Sequence, residues 1–266
     1  MAEKANHHYI PQFYLRNFAS GSKRQAKIFV YDESTKRAFT TQVRNVGSRR
    51  HFNRIEAENM HANAVEDALA QFEGELSSAF AEVIEAKKFP SNEHFSYIMN
   101  FLALVAVRNP RYRSTMEDFH ERSVKAIMSA ALSSKEAWDS QIRQMRKAGE
   151  PLKNEIPYEE MKSFHTKDQY SVQIDQTRLI QIEFKAVDKV LEWLPRRNWC
   201  LATASNGHSY ICSDAPVVLS WVDESDKGFR GPGFGLKQTI VLFPIGPQLL
   251  LIGTFEDLPK KTRAFP

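Results

Sequence analysis

The sequence predicts an α+β fold: an N-terminal β-hairpin, a central helical bundle, and a C-terminal antiparallel β-meander packed on the helices. Three observations carry this. Two short β-prone runs face each other across a polar turn between Ala26 and Val43. Helical patterning dominates from Asn63 to Leu194. After Asn198, short apolar runs alternate with turn residues almost to the chain end.

The elements follow in order. Pro11 suits a first helical turn, since its φ is preset and its missing N–H is not needed there. The spacing predicts a helix to about Ala19, stopped by Ser20-Gly21-Ser22, with Ile10, Phe13, Tyr14 and Phe18 on its apolar face. Ala26 to Tyr31 and Arg37 to Val43 form a hairpin across Asp32–Lys36. Short hairpins are marginal alone, so this one is expected to join or flank the late sheet. Asn45-Val46-Gly47-Ser48 turns the chain into Arg49-Arg50-His51-Phe52-Asn53. A long helix runs from Asn63 to Lys87 on a stripe of Val65, Leu69, Phe72, Leu76, Phe80 and Val83. Pro90 breaks the chain, and Ser91 opens the next helix.

Phe95 to Val107 is apolar nearly all round and should be the central buried helix, with Asn100 the odd residue in it. Asn109-Pro110 ends it. Tyr112–Leu132 and Ser134–Lys147 read as further helices, and Glu150–Lys167 as a charged linker with at most one helical turn. Tyr170–Ile174 reads as a short strand. Gln176–Leu194 is helical, with Ile180, Phe184, Val187 and Leu191 as its core face. The remainder is β: Asn198–Ala204, a hairpin turn at Asn206-Gly207, His208–Cys212, Val217–Trp221, and a last hairpin of Thr239–Phe243 with Leu249–Thr254. Gly228–Gly235 lacks phosphate-loop spacing.

Composition narrows the class. In 266 residues, 42% are hydrophobic and 26% charged, enough for a sizeable core. Net charge is +4, too slight to argue for nucleic acid by itself. Two cysteines, Cys200 and Cys212, are too few for a disulfide scaffold and both fall in predicted strands. The start, MAEKANHH, has no apolar signal core, and Phe95–Val107 is too short to span a bilayer. These features predict a cytoplasmic protein with no membrane partner and reduced thiols.

The stretch HHYIPQFYLRNFA, from His7 to Ala19, gathers histidines, tyrosines, phenylalanines, a glutamine and an arginine in one short unit. It resembles the opening of the domain-of-unknown-function 4238 family, found largely in bacteria and phages. Supporting matches follow in AKIFVYDESTKRAFTTQ, NVGSRRHFN, AVEDALAQFEGELSSAF, ALVAVRNPRYR and SYICSDAPVVL. The resemblance implies a fold unit and a set of pocket positions, and no activity. It implies one α+β domain over residues 6–255. Residues 256–266 are then a short tail where a further Asn-containing helix is expected and is truncated.

Three constellations suit chemistry. The first is His7, His8, Glu66, Glu73 and Asp214. Imidazoles with carboxylates suit acid–base catalysis or a divalent metal, although no H-E-x-x-H or C-x-x-C motif supports the metal. Glu66 and Glu73 lie on one flank of their helix, where glutamates are more often solvated. The second is Arg16, Arg108, Arg111 and Arg113, an anion clamp or internal ion pairs. The third is Ser213-Asp214 after a strand, with Asp214 as acceptor and Ser213 an unsuitable nucleophile without an elbow or a base. Gln12, Asn100 and Ser213 would support the pocket. His8, Gln12 and Arg16 are spaced to face one cavity, or the histidines simply seed the helix and Arg16 is solvated.

These patterns fit a hydrolase acting on a phosphodiester or other anionic substrate. They also fit a non-catalytic nucleic-acid or nucleotide binding module, or a structural domain for protein partners. Most aromatics fall on core stripes, and packing accounts for them.

Overall fold

A computed structural model describes residues 6–21, 25–58, 60–150, 156–223 and 231–256. The chain divides into two compact units, residues 1–111 with 176–266, and residues 112–175.

The first unit opens with β1 (Asn6–His8) and α1 (Gln12–Arg16). Pro11 is the N-cap residue of α1, and the helix is shorter than its apolar spacing predicts, because Asn17 and Phe18 close it in a turn. A two-stranded antiparallel sheet follows, β2 (Lys27–Asp32) with β3 (Arg37–Gln42). A 3-10 turn at Val43–Asn45 leads to β4 (Ser48–Arg50), which pairs with β1 so that His7 faces Arg49 and His8 faces Ser48. Gly47 makes this return possible. Its φ is +68°, and a Cβ there would lie 3.1 Å from Leu15 Cδ1 and 3.3 Å from Ile10 Cβ.

Helix α2 (Ala64–Ala86) buries Leu69, Leu76, Phe80 and Val83 of its stripe together with Ala79, leaves Val65 and Phe72 half-buried, and ends on Lys87 in the left-handed region. Ser91 caps α3 (Asn92–Val107), accepting from the His94 N–H at 3.4 Å. Its apolar run is buried almost entirely, with Ile98, Phe101, Leu102 and Ala103 at 0% exposure. A helix apolar all round has to be covered on every side.

Helix α4 (Pro110–Ala131) begins in the first unit and continues in the second, which also holds α5 (Lys135–Lys147) and α6 (Tyr158–Lys167). The α6 segment was expected to be a linker; its own sequence is weakly patterned, and side chains of the unit hold it. Tyr158 donates to the Leu132 carbonyl at 3.2 Å, Ser129 meets His165 at 2.7 Å, and Phe164 stacks on Tyr170 at 4.9 Å. Tyr170–Ile174 is not a strand.

Back in the first unit, α7 (Gln176–Leu191) packs on α3. Its buried residues are Leu179, Ile180, Glu183 and Val190, whereas Phe184, expected in the core, is 40% exposed. The final sheet runs in the order β5 (Asn198–Thr203), β8 (Leu249–Thr254), β7 (Thr239–Gly246), β6 (Val218–Trp221), all antiparallel. The β2–β3 hairpin forms a two-stranded sheet of its own and does not join it.

His208–Cys212 is not a strand either. The Asn206-Gly207 turn forms, with Gly207 at φ +83°, but the residues after it do not pair along the open edge of β5. The chain instead crosses the sheet face, and Tyr210 packs on Ala202, Leu250 and Ile252. Cys212 therefore lies outside a strand, where burial pushes its thiol up to about 11. Of the glycine-rich stretch, residues 224–230 lie outside the described residues, as do residues 257–266 of the tail.

One cluster locks α1 to helices and sheet together. Tyr14 is fully buried, stacks on Phe243 at 5.4 Å, and meets Phe101 and Phe80. Its hydroxyl donates to the Pro244 carbonyl at 2.7 Å. Each such buried ring contributes roughly 1.5–3 kcal/mol relative to exposure, so α1 holds its place despite its single turn and a half.

Candidate functional site

The short strand β1 precedes this anchored helix, so its residues are fixed with it. His7 is completely buried, and its Nδ1 accepts the Asn53 N–H at 2.9 Å. That bond leaves Nδ1 as acceptor and puts the neutral ring's proton on Nε2. Asn53, also at 0% exposure, holds two further partners through its side chain. Its Nδ2 donates to Glu66 Oε2 of α2 at 2.6 Å, and its Oδ1 accepts from Arg108 Nη1 at 2.9 Å. Arg108, 1% exposed at the end of α3, also points both Nη atoms at the His8 carbonyl at 3.5 Å. Gln176 at the start of α7 donates to the carbonyls of His51 and Arg54 at 2.7 and 2.6 Å. The loop around Asn53 is thus held by α2, α3, α7 and β1. Burial makes these bonds costly to lose.

His8 lies in front of this brace and is half-buried. Burial lowers the pKa of its imidazole, the Glu66 carboxylate and a hydrogen bond to the Arg44 backbone oppose that, and Arg16 adds to the lowering. The net direction is down. Its Nε2 is buried without a hydrogen-bond partner, so the Arg44 bond falls to Nδ1 and the lone pair to Nε2. Tyr9 turns to other neighbours: burial first, then the Asp214 charge, raise its phenol pKa, and Arg49 opposes them. Its ring meets Phe52 at 5.5 Å. The surroundings are basic, with Arg16, Arg44, Arg49 and Arg50 all exposed.

The structure brings His7, His8, Glu66 and Arg108 together, with Arg16 close enough to act on His8 and Asp214 close enough to act on Tyr9. Gln12 joins at the rim, accepting from Arg16 at 3.1 Å. Glu73 is partly buried two turns along α2, about 10 Å beyond Glu66 by helix rise. Ser213 is exposed and its hydroxyl is engaged with the Ala215 backbone. Asn100 is exposed, donates to the Ser96 carbonyl, and faces an apolar groove of α2, α3 and α7 rather than the histidines. Arg111 is exposed in the first turn of α4. Arg113 falls in the second unit.

Asn53 is the residue sequence reasoning missed. It ends the quoted NVGSRRHFN stretch, and nothing in its local pattern marks it as the junction of three elements. The suggested metal set is not assembled: among the described residues no group of three or more His, Cys, Asp or Glu side chains is placed to hold a metal ion. His7 spends its Nδ1 on Asn53, and Asp214 lies with Tyr9. No helix among the described residues is long and apolar enough to cross a membrane.

Fold and site together define an α+β protein in which a buried His–Asn–Glu–Arg brace supports a half-buried histidine inside a basic rim. The chain belongs to the family described as Protein of unknown function (DUF4238), whose model matches residues 6–264, in agreement with the resemblance of its opening motif. No curated protein and no solved structure matches it.

Proposed function

We propose that the His8 site performs acid–base chemistry on an anionic ester, a phosphodiester being the best-fitting class. The observation that carries the reading is the imidazole of His8. It is biased to the neutral form, and it keeps one nitrogen without a partner beside a carboxylate and a guanidinium. A neutral imidazole with a free lone pair accepts a proton near pH 7. In hydrolysis Nε2 takes a proton from water, the water oxygen attacks phosphorus, and the ester oxygen leaves and takes up a proton. Glu66 stabilises the imidazolium so formed. Arg16 and Arg49 hold the anionic oxygens. His7, Asn53 and Arg108 keep the β1 backbone in place rather than touching substrate.

Nε2 is covered in this conformation, so a ligand has to displace a rim side chain. Arg16, exposed and bonded to Gln12, is suited to move. The experiment is a turnover assay on phosphodiesters, with His8→Gln and Arg16→Ala beside the parent chain. General-base loss lowers the rate by about 10²–10⁴-fold, while Arg16→Ala raises KM. No turnover of any phosphodiester by the parent chain, or turnover indifferent to His8→Gln, would refute the reading.

A further inference from the structure

The β2–β3 hairpin carries a surface that packing does not explain. Its register pairs Phe29 with Thr40 and Tyr31 with Ala38. Directly opposed residues share a face, so Lys27, Phe29 and Tyr31 stand on one side with Ala38, Thr40 and Gln42. The other side carries Ile28, which is buried, and Val30, which is half-buried. The aromatic side therefore faces solvent, with Phe29 69% and Tyr31 56% exposed. Small partners across the ladder leave both rings uncovered.

The charges on this side favour an anion. Neither strand places a carboxylate on it. Asp32 is opposed by Arg37 on the inner face and accepts from Ser34, while Glu33 in the turn pairs with Lys36. At the open end of the hairpin, Lys27 faces Gln42, and the chain passes directly to the exposed Arg44 and then to Arg49 and Arg50. Arg44 is the residue whose backbone bonds the His8 ring. Basic groups thus continue from the aromatic face to the His8 site. The two rings, two residues apart on one strand, are separated by about 6.8 Å, roughly twice the 3.4 Å rise per nucleotide.

We propose that the outer face of this hairpin is a stacking platform for two bases of a single-stranded nucleic acid, whose phosphates follow Arg44, Arg49 and Arg50 to the His8 site. The proposal names a substrate class for that site and rests on the preceding reading only for where the strand leads. Aromatic rings accept any base, since every base has a π face. The phosphates then supply most of the affinity and make it salt-dependent.

The test is fluorescence anisotropy at about 50 mM salt with labelled single-stranded RNA and DNA 12-mers, a DNA duplex, and an abasic strand with the same phosphates. The proteins are the parent chain, the Phe29→Ala/Tyr31→Ala pair and Phe29→Trp. Thermal melts show that each is folded, which the exposure of both rings favours. RNA, DNA or both bind as single strands, and the duplex and abasic strand bind at least ~10-fold more weakly. The double alanine variant loses about 10-fold per ring, and Phe29→Trp retains binding. Absence of single-strand binding by both 12-mers overturns the platform. So does equal binding of the abasic strand, or an unchanged affinity in the double variant. A dimer in sedimentation that the double variant dissolves also overturns it and makes the face a protein contact. Ring-dependent binding without turnover refutes the His8 chemistry alone, and turnover with ring-independent binding refutes the platform alone.

Discussion

Replacing Asn53 by alanine tests whether the buried brace holds the first unit together. The substitution keeps the backbone bond to His7 Nδ1 and removes the two side-chain bonds, to Glu66 at 2.6 Å and to Arg108 at 2.9 Å. Both partners are charged groups, and such bonds contribute about 1.5–3 kcal/mol each. Glu66 is only partly buried and recovers some hydration, which places its share at the low end. Arg108 is 1% exposed and has no such recourse. The expected loss is therefore roughly 3–4 kcal/mol. Urea unfolding followed by tryptophan fluorescence suits the purpose, because Trp193, Trp199 and Trp221 lie in the first unit and only Trp138 in the second. Glu66→Gln keeps an acceptor for the Asn53 amide and should cost only about 1 kcal/mol. A loss below about 1 kcal/mol for Asn53→Ala would refute the reasoning, since a surface-like value means that the two bonds are replaced by water.

Further expectations follow from the same structure. Leu102→Ala in α3 should cost about 2–5 kcal/mol in the same urea titration, and a value under 1 would place that helix at the surface. Arg16→Ala should leave the melting temperature nearly unchanged, because Arg16 is exposed and its hydrogen bond to Gln12 is a surface one. Gly253→Ala should destabilise by about 1–3 kcal/mol, since its Cβ would stand 2.5 Å from the Trp199 ring. Gly74→Ala, with nothing within 4 Å of its Cβ, should stabilise α2 by about 0.5–1 kcal/mol; equal effects at the two glycines in a thermal melt would contradict both. The lowered pKa of His8 means that the unfolded chain binds its proton first. Stability from this group is complete above about pH 6.5 and is lost as pH falls through the folded pKa. His8→Gln should flatten that acid limb.

Much of the frame was legible because burial writes itself into periodicity. Phe101 to Val107 is apolar without a break, and α3 is the buried helix it predicts. The α2 stripe fixed the face turned inward. What failed depended on partners distant in sequence. Phe184 has the spacing of a core residue, yet α7 buries Glu183 and turns Phe184 to an open groove. The Asn206-Gly207 turn is real, but the chain after it bonds to the distant turn between β7 and β8, Tyr210 donating its N–H to the Pro247 carbonyl and Gln248 donating to the His208 carbonyl, and no hairpin strand follows. Segment 158–167 is an exception: its apolar pattern is weak, yet Pro157 precedes it, Glu159 and Glu160 stand in its first turn and His165 and Lys167 in its last, which are local signals of a helix. At the site, the polar opening motif was legible as a hub. Asn53 was not, because its role lies entirely in what converges on it. Phe29 and Tyr31 alternate like any strand residues, and only the fold shows that both rings stand exposed.

The histidine tautomers offer the sharpest test of the site. Long-range ¹H–¹⁵N correlation spectra, assigned with His7→Gln and His8→Gln and followed from pH 5 to 8, read both the proton position and the titration of each ring. The prediction is a His8 ring that titrates below about pH 6.5, with its proton on Nδ1 and its lone pair on Nε2, and a His7 ring whose neutral form carries the proton on Nε2. A His8 titrating above 6.5, or one protonated on Nε2 when neutral, would contradict the picture of a general base held ready in front of a buried brace.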